Sequence, residues 1–465
     1  MAEPVPAPPP APFAAGDGAA PPDPPMATVP PGIPVPTDAA VPTGVTAPVG
    51  PDGGSPGPAM GAGVADRPVR AVLALASCRW YWLAQFLAAL GNGALRFVFV
   101  WLALDVSDDP SAPGLLGMAL GVPALVLMIP AGAWSDRFDR RRLVVAAELA
   151  AAAGLVFAAA VTWAGAMSVP VAAVFAALIG GLLAVSAPAL QALVPSLVPP
   201  ERIMTGAALQ GMGMNAALLF GAVAGGGAIA VAGVGGAFTL LGVLQLVAAG
   251  AMARVRLAPH VPRARRPMRG DIGEGLRFAL GHEPIRSLLG VGLLAGFIWG
   301  IVSILLPEVA KDDLGVGAFP TSLLFSALGV GLLCTSMTLA SRPAIGRPGL
   351  LIAIAISTLL PGGVLAMGLS RSYALTLVVM VVWGVGGGIS MTLQRGLLQI
   401  HTPDEILGRV MGLNGLAMLG SFPLAAAVAS ASASAVGAAT SLVIVGLGAV
   451  AVSTPLVWRR AIRAA

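Results

Sequence analysis

The chain has 465 residues, of which 57% are hydrophobic and only 10% charged, with a formal net charge of +5 and a mean hydropathy of +0.89. Soluble globular domains carry about 25% charged residues, so this composition excludes a soluble protein and predicts an all-α polytopic membrane protein with no nucleic-acid partner. Cys78 and Cys334 read as ordinary packing residues. His260, His282 and His401 are expected in loops with no second ligand at metal-binding spacing, so neither a metal nor a cofactor is expected. Twenty-five arginines against the single Lys311, with abundant Ala, Gly and Pro, point to a GC-rich bacterial genome.

Residues 1–68 hold twenty of the forty-one prolines and only scattered acids. Such a segment buries too little apolar surface to offset its ordering entropy, and its broken apolar runs are unlike a secretory signal, so a disordered cytoplasmic tail is expected. Beyond it, twelve apolar segments follow, at 80–104, 113–134, 143–166, 169–194, 203–231, 235–253, 286–309, 320–340, 349–369, 373–396, 408–430 and 435–457. Each is long enough for a hydrocarbon core of ~30 Å, which takes ~20 residues per helical crossing. If both termini are cytoplasmic, 23 basic residues fall on the inside and two, Lys311 and Arg371, on the outside. The positive-inside rule therefore predicts that orientation.

The second and third segments flank residues 132–142, where Gly132, Asp136, Arg137, Asp139, Arg140, Arg141 and Arg142 crowd into what reads as a cytoplasmic turn. An internal repeat supports the segment count. Leu190-Gln191, Pro199-Pro200-Glu201-Arg202 and Gln210 recur as Leu393-Gln394, Pro403-Asp404-Glu405-Ile406 and Asn414, at an offset of about 204 residues. The repeat divides the chain into six-helix halves at 69–253 and 286–457, with a loop at 254–285 and a short tail at 458–465. Within the loop, Asp271 and Glu274 can cap a short amphipathic helix whose Ile272, Leu276, Ala279 and Leu280 would lie on the inner leaflet.

The run from Gly132 through Asp136 to the arginines resembles the signature loop of the major facilitator superfamily, although Asp139 stands where the superfamily consensus has glycine. The resemblance extends to the drug:proton antiporter and siderophore-exporter branch. It is carried by Trp82-Leu83-Ala84-Gln85, Trp101-Leu102-Ala103-Leu104-Asp105, Gln191-Ala192-Leu193-Val194-Pro195, Glu274-Gly275-Leu276-Arg277-Phe278 and Gly408-Arg409-Val410-Met411. It implies twelve helices in two pseudo-symmetric halves, transport by alternating access and no enzymatic activity. It also implies a conformational gate in which Asp136 meets the start of segment eleven, with Gly132, Arg137, Arg140, Arg141 and Arg409 as further members.

Ionisable groups within the membrane are functional candidates because exposing one to lipid costs ~2.5–3.5 kcal/mol or more. Glu148, two turns inside segment three, is the first candidate for carrying a proton; Glu308 and Asp105 are further candidates, at helix ends where a solvated rim is expected. The substrate cavity, expected at the midplane between the halves, has Asn92, Arg96, Asn215, Phe297, Trp299 and Trp383 as candidate lining residues. Met212, Met214, Met391 and Met411 are compatible with a loose apolar cavity. Two departures from the family pattern bear on coupling. Asn92 is neutral where the resemblance implies an acid, and segment five has Gly221-Ala222-Val223-Ala224-Gly225-Gly226 without the proline of related antiporters. The reading is a monomeric, lipid-embedded inner-membrane exporter of a small amphipathic molecule, coupled to protons. An importer or uniporter of the same fold, and a non-transporting anchor with a partner-binding tail, are the alternatives.

Overall fold

The computed structural model describes residues 75–198, 203–257, 276–340 and 346–458. The expected tail at 1–68, the Asp271 cap and residues 459–465 lie outside the described residues, as do the side chains of Gly132, Asp136, Arg137, Met212 and Asn215. Eleven helices carry the chain among the described residues, and no strand occurs there. They are α1 (Ala76–Val106), α2 (Ala112–Arg137), α3 (Arg140–Trp163), α4 (Val169–Leu197), α5 (Ile203–Ala253), α6 (Glu283–Asp312), α7 (Ala318–Ala340), α8 (Pro348–Leu369), α9 (Tyr373–His401), α10 (Asp404–Val436) and α11 (Ala438–Trp458). Ten of them are long and apolar enough to cross a membrane, and α2 adds an apolar stretch over Ala112–Leu127.

Local chemistry explains the boundaries. The 132–142 stretch, expected as a turn, is mostly helical: only Phe138 and Asp139 separate α2 from α3. Asp139 stands at the N-cap, where its carboxylate accepts from the Arg142 backbone N–H at 3.0 Å. An acid in this position satisfies an otherwise orphaned donor, which gives the departure from the consensus glycine a local reason. At the other end of α2, Asp109 accepts from the Ser111 backbone and hydroxyl, both at 2.8 Å, and these bonds hold its carboxyl below the usual carboxylate range.

As one rod of 51 residues α5 would be about 75 Å long, far more than a bilayer core. It breaks at Gly233, whose φ of 66° and ψ of −175° lie outside the helical region and favour glycine. The break falls between the fifth and sixth expected segments. Within α8, Ala355–Leu359 forms a π-helical bulge. His401 ends α9 instead of standing in a loop, and its ring lies 2.8 Å from the Leu397 carbonyl.

The helices pack in the same pairs twice over. In the first set α1 packs on α5, α2 on α4 and α3 on α5; in the second set α6 packs on α10, α7 on α9 and α8 on α11. The first rod of α5 meets α1, with Gly221 against Gly93, and the second rod meets α3, with Gly242 against Val156. The second set is built around Ile298, Leu305, Val364, Met380 and Phe422. The first has one cluster around Leu95, Phe99, Leu155 and Phe238 and another around Tyr81, Leu193 and Met252. The short helical segment at 276–281 exposes Leu276 and Leu280 while Ala279 is buried.

Candidate functional site

The α2–α3 turn marks one end of the helix array, called here the turn end. The connections at 107–111, 313–317 and 370–372 mark the other, the far end. The two sets touch over the far-end half of the seam. Ser430 on α10 donates to the Ser111 carbonyl at 2.8 Å, and Ser326 on α7 donates to the Leu219 carbonyl of α5 at 2.7 Å. Lys311 reaches across from α6 to the Leu104 carbonyl of α1. Glycines make the approach possible: a methyl at Gly114 would stand 2.6 Å from the Ala426 carbonyl oxygen, and one at Gly226 would stand 2.6 Å from Ser322 Oγ. Nearer the turn end, Gly213, Gly396, Gly412 and Gly415 have open space where a methyl would be added.

Between these ends, Arg96 on α1 places its guanidinium carbon 4.0 Å from the centroid of Phe422 on α10. A cation over a ring gains ~0.5–2 kcal/mol, the more so when desolvated, so this contact joins the two sets through the one basic side chain deep in α1. Asn92, one turn earlier, is exposed. Behind Arg96 an aromatic path crosses from α1 through α7 and α6 to α9. Phe97 meets Phe325 at 5.9 Å between centroids, Phe325 meets Trp299 at 6.4 Å, and Trp299 stacks on Trp383 at 5.8 Å.

Trp383 does not line open space as expected. It is 2% exposed, and its indole N–H donates to the Leu360 carbonyl at 3.0 Å. Its bulk fills the second set's core, so Trp299 and Phe297, both half-buried, are the aromatic candidates that remain on α6. Met391 and Met411 are half-buried, and Met214 is exposed.

Glu148 lies inside the first set, 1% exposed, and neither carboxylate oxygen has a hydrogen-bond partner. Ser186 on α4 stands beside it, yet the Ser186 hydroxyl donates to the Leu183 carbonyl at 3.0 Å. Gln85 on α1 and Gln245 on α5 are also buried, each with an unpartnered Oε1. All three lie about two turns from the turn-end termini of their helices. Neither glutamine was singled out as a buried polar group from the sequence, since an isolated Gln in an apolar run carries no signal of which neighbour faces it.

Glu308 is not the rim residue expected from its place near a helix end. It is 7% exposed, Oε2 has no partner, and Asp312 and Asp313 lie close enough to repel it. α6 continues to Asp312, so Glu308 lies a full turn inside the helix instead of at its end. Asp105 is exposed, as a rim residue would be. Among the gate candidates, Arg140 donates to the Ser135 carbonyl at 3.2 Å and to the Ala192 carbonyl of α4 at 2.9 Å. Arg141 donates to the Val255 carbonyl at 3.0 Å, just past α5. Arg409 is half-buried in the second turn of α10 and is engaged in a polar contact.

The second set shows what a satisfied counterpart looks like. Gln394, a member of the internal repeat, donates to the Leu288 carbonyl at 2.7 Å and to Asn414 Oδ1 at 3.0 Å, tying α9 to α6 and α10. Gly292 makes room for that pair: a methyl there would stand 2.5 Å from Gln394 Nε2.

Helices paired twice over, a glycine-lined seam and a basic turn after the second crossing are also the features of a known family. Residues 81–422 match the Major Facilitator Superfamily. The chain belongs to this superfamily. Its members are transporters rather than enzymes, and the chain is accordingly a multi-pass membrane transporter with the all-α facilitator fold. It is 26% identical over 340 residues to the enterobactin exporter EntS of Shigella boydii serotype 18, covering 72% of this chain and 80% of that protein. It is 25% identical over 340 residues to EntS of Escherichia coli O139:H28, with the same coverage.

Among solved structures, a bacterial homolog of the human lysosomal transporter Spinster, inward-facing and unoccupied, superposes with a TM-score of 0.64 at 15% identity. That match covers 85% of this chain and 97% of the other. A POT family transporter in complex with a thioalcohol-conjugated peptide gives a TM-score of 0.65 at 13% identity, over 82% and 96% of the two chains. At such identities these two establish the fold alone.

Proposed function

We propose that the protein exports a small amphipathic molecule, drug-like or siderophore-like, across the bacterial inner membrane in exchange for protons, as a monomer with both termini in the cytoplasm. The observation that carries this reading is Arg96, held over the Phe422 ring at the seam between the two helix sets. A guanidinium among aromatic side chains offers charge to an anionic group and stacking surface to a ring, which suits an amphipathic, anionic compound better than a sugar. The relatives named as enterobactin exporters support the direction. The partition of 23 basic residues to one side and two to the other supports the orientation.

The two sets act as six-helix halves, 69–253 and 286–457, joined by the 254–285 loop. Substrate enters from the turn end while the far end is sealed by the Ser430 and Ser326 contacts. Asp136 at the end of α2 and Arg409 at the start of α10 take part in closing the turn end in the alternate state. Only a ligand or proton that binds the two states unequally can shift them. Glu148 supplies the proton: a carboxylate buried in the membrane interior carries its charge at a cost, so proton binding and release there change the balance of states. Glu308 is the second carboxyl with the same property, whereas neutral Asn92 cannot carry a proton.

The test is efflux into inverted vesicles of a panel of fluorescent dyes and catecholate siderophores, with and without a proton gradient. Wild type is expected to show gradient-driven transport that Glu148→Gln abolishes while leaving gradient-independent exchange. Gradient-driven transport that survives Glu148→Gln and fails in Glu308→Gln would move the proton to α6. Transport indifferent to the gradient in wild type would replace antiport with facilitated export or uptake.

A further inference from the structure

Three arginines on two segments converge at the turn end, outside the transport path. Arg141 lies in the first turn of α3, and Arg254 and Arg256 directly follow α5. With Ala76, Ser77 and Trp80 of α1 and Ala253 of α5 they line an open cleft of about 590 Å³. Each is held in place without being used up. Arg141 Nη1 donates to the Val255 carbonyl at 3.0 Å, and Arg254 Nη1 donates to the Gly250 carbonyl at 3.3 Å. The Arg254 guanidinium carbon also sits 4.9 Å from the Trp80 ring centroid. The Arg256 backbone N–H donates to Ser77 Oγ at 3.3 Å, and among the described residues its guanidinium has no hydrogen-bond partner. A guanidinium offers five N–H donors, so most of the donor capacity of the three is left over by these bonds.

Among the described residues no carboxylate forms an ion pair with any of the three. Three like charges gathered with no carboxylate paired to them among the described residues repel one another, and an anion seated among them relieves that repulsion. Planar guanidinium groups match the oxygens of a phosphate in bidentate fashion. Along α5, about two to three turns from Arg254, Val243, Leu246 and Val247 are exposed apolar residues. Helical spacing puts Val243 and Val247 on the face that runs down to Arg254. A phosphate in the cleft with hydrocarbon along this face has the outline of a membrane lipid, and basic pockets between helices at a leaflet surface are suited to such headgroups.

We propose that the cleft binds a phosphate group, carried by an anionic glycerophospholipid of the leaflet at the turn end. The headgroup ties the start of α1 and of α3 to the end of α5, and so clamps the turn end of the first helix set. A free phosphate has the same recognition chemistry but leaves the apolar face of α5 unused.

The experiment is native mass spectrometry of the full chain, purified in mild detergent and incubated with phosphatidylglycerol or phosphatidylcholine vesicles or with inorganic phosphate. The expected result is selective retention of phosphatidylglycerol that falls roughly thirtyfold in the Arg254→Gln/Arg256→Gln double variant, since two juxtamembrane basic residues at ~1 kcal/mol each are removed. Arg286→Gln, an arginine outside the cleft, leaves retention unchanged. Arg254→Lys/Arg256→Lys, which keeps the charge but not the bidentate geometry, retains the lipid less than wild type and more than the glutamine variant, which shows that loss in the latter is not misfolding. Equal retention of both lipids, or equal retention by wild type and the glutamine variant, overturns the site. Displacement of the lipid by millimolar inorganic phosphate overturns the lipid source.

Discussion

The two ends of the seam between the helix sets are built differently. At the far end glycines let backbones approach, with Gly114 of α2 against Ala426 of α10 and Gly226 of α5 against Ser322 of α7, and serine hydroxyls bridge the sets. Toward the turn end, Gly213, Gly412 and Gly415 look onto open space. One end is zipped by contacts that a single methyl would disturb, and the other has room to move. A seam of this kind can open on one side and close on the other without remaking either core, because the packing within each set stays intact. What the contrast teaches is that small residues in this chain have two uses. Those at the far end permit contact, and those near the turn end leave clearance.

Substitutions can break or sharpen this contrast. The largest effect is expected from Gly114→Leu. Overpacking a tight contact costs ~1–3 kcal/mol, so the far end should be wedged apart and transport should fall by tenfold or more, measured as dye efflux at matched membrane abundance. Arg96→Ala comes next. Loss of the cation over Phe422 removes ~0.5–2 kcal/mol, and the apparent KM for an anionic substrate should rise several-fold while that for a neutral one changes little. Ser430→Ala removes a single inter-set hydrogen bond with a net value of ~0.5–1.5 kcal/mol. Its expected effect is a few-fold shift in the populations of the two states, read as increased cysteine labelling at the far end. The smallest effect belongs to Gly415→Ala, where the added methyl has space. The gain in helix propensity is ~0.5–1 kcal/mol, so thermal stability should hold or rise and transport should stay within about twofold.

Much of this architecture was legible in the sequence because its signals are local. Apolar runs of bilayer length, a basic turn and the Gln394 and Asn414 repeat are properties of short stretches, and the broken α5 falls where two apolar segments were expected on either side of Gly233. What was not legible depends on which neighbour faces which side chain. Glu308 reads as a rim residue by position and is buried, a full turn inside α6. Trp383 reads as a cavity aromatic and is instead committed to the Leu360 carbonyl across a helix pair. Arg141 reads as a gate residue, and its side chain is bonded to Val255. Asp139 carried a readable signal, an acid immediately before a helix, but was weighed against a consensus glycine instead of as an N-cap.

Reciprocal movement of the two ends of the seam is read most directly from two spin-label distances across it. One pair, Asp108→Cys and Ser434→Cys, spans the far end, and another, Phe138→Cys and Ile400→Cys, spans the turn end; all four positions are exposed. Both pairs are read by electron double resonance in protein whose exposed Cys334 is replaced by serine, and again with Gly114→Leu added. The account predicts that the wedge lengthens the far-end distance and shortens the turn-end distance together. A far-end distance that lengthens while the turn-end distance stays fixed would contradict it, because the two ends would then be independent and the seam would not be an alternating gate.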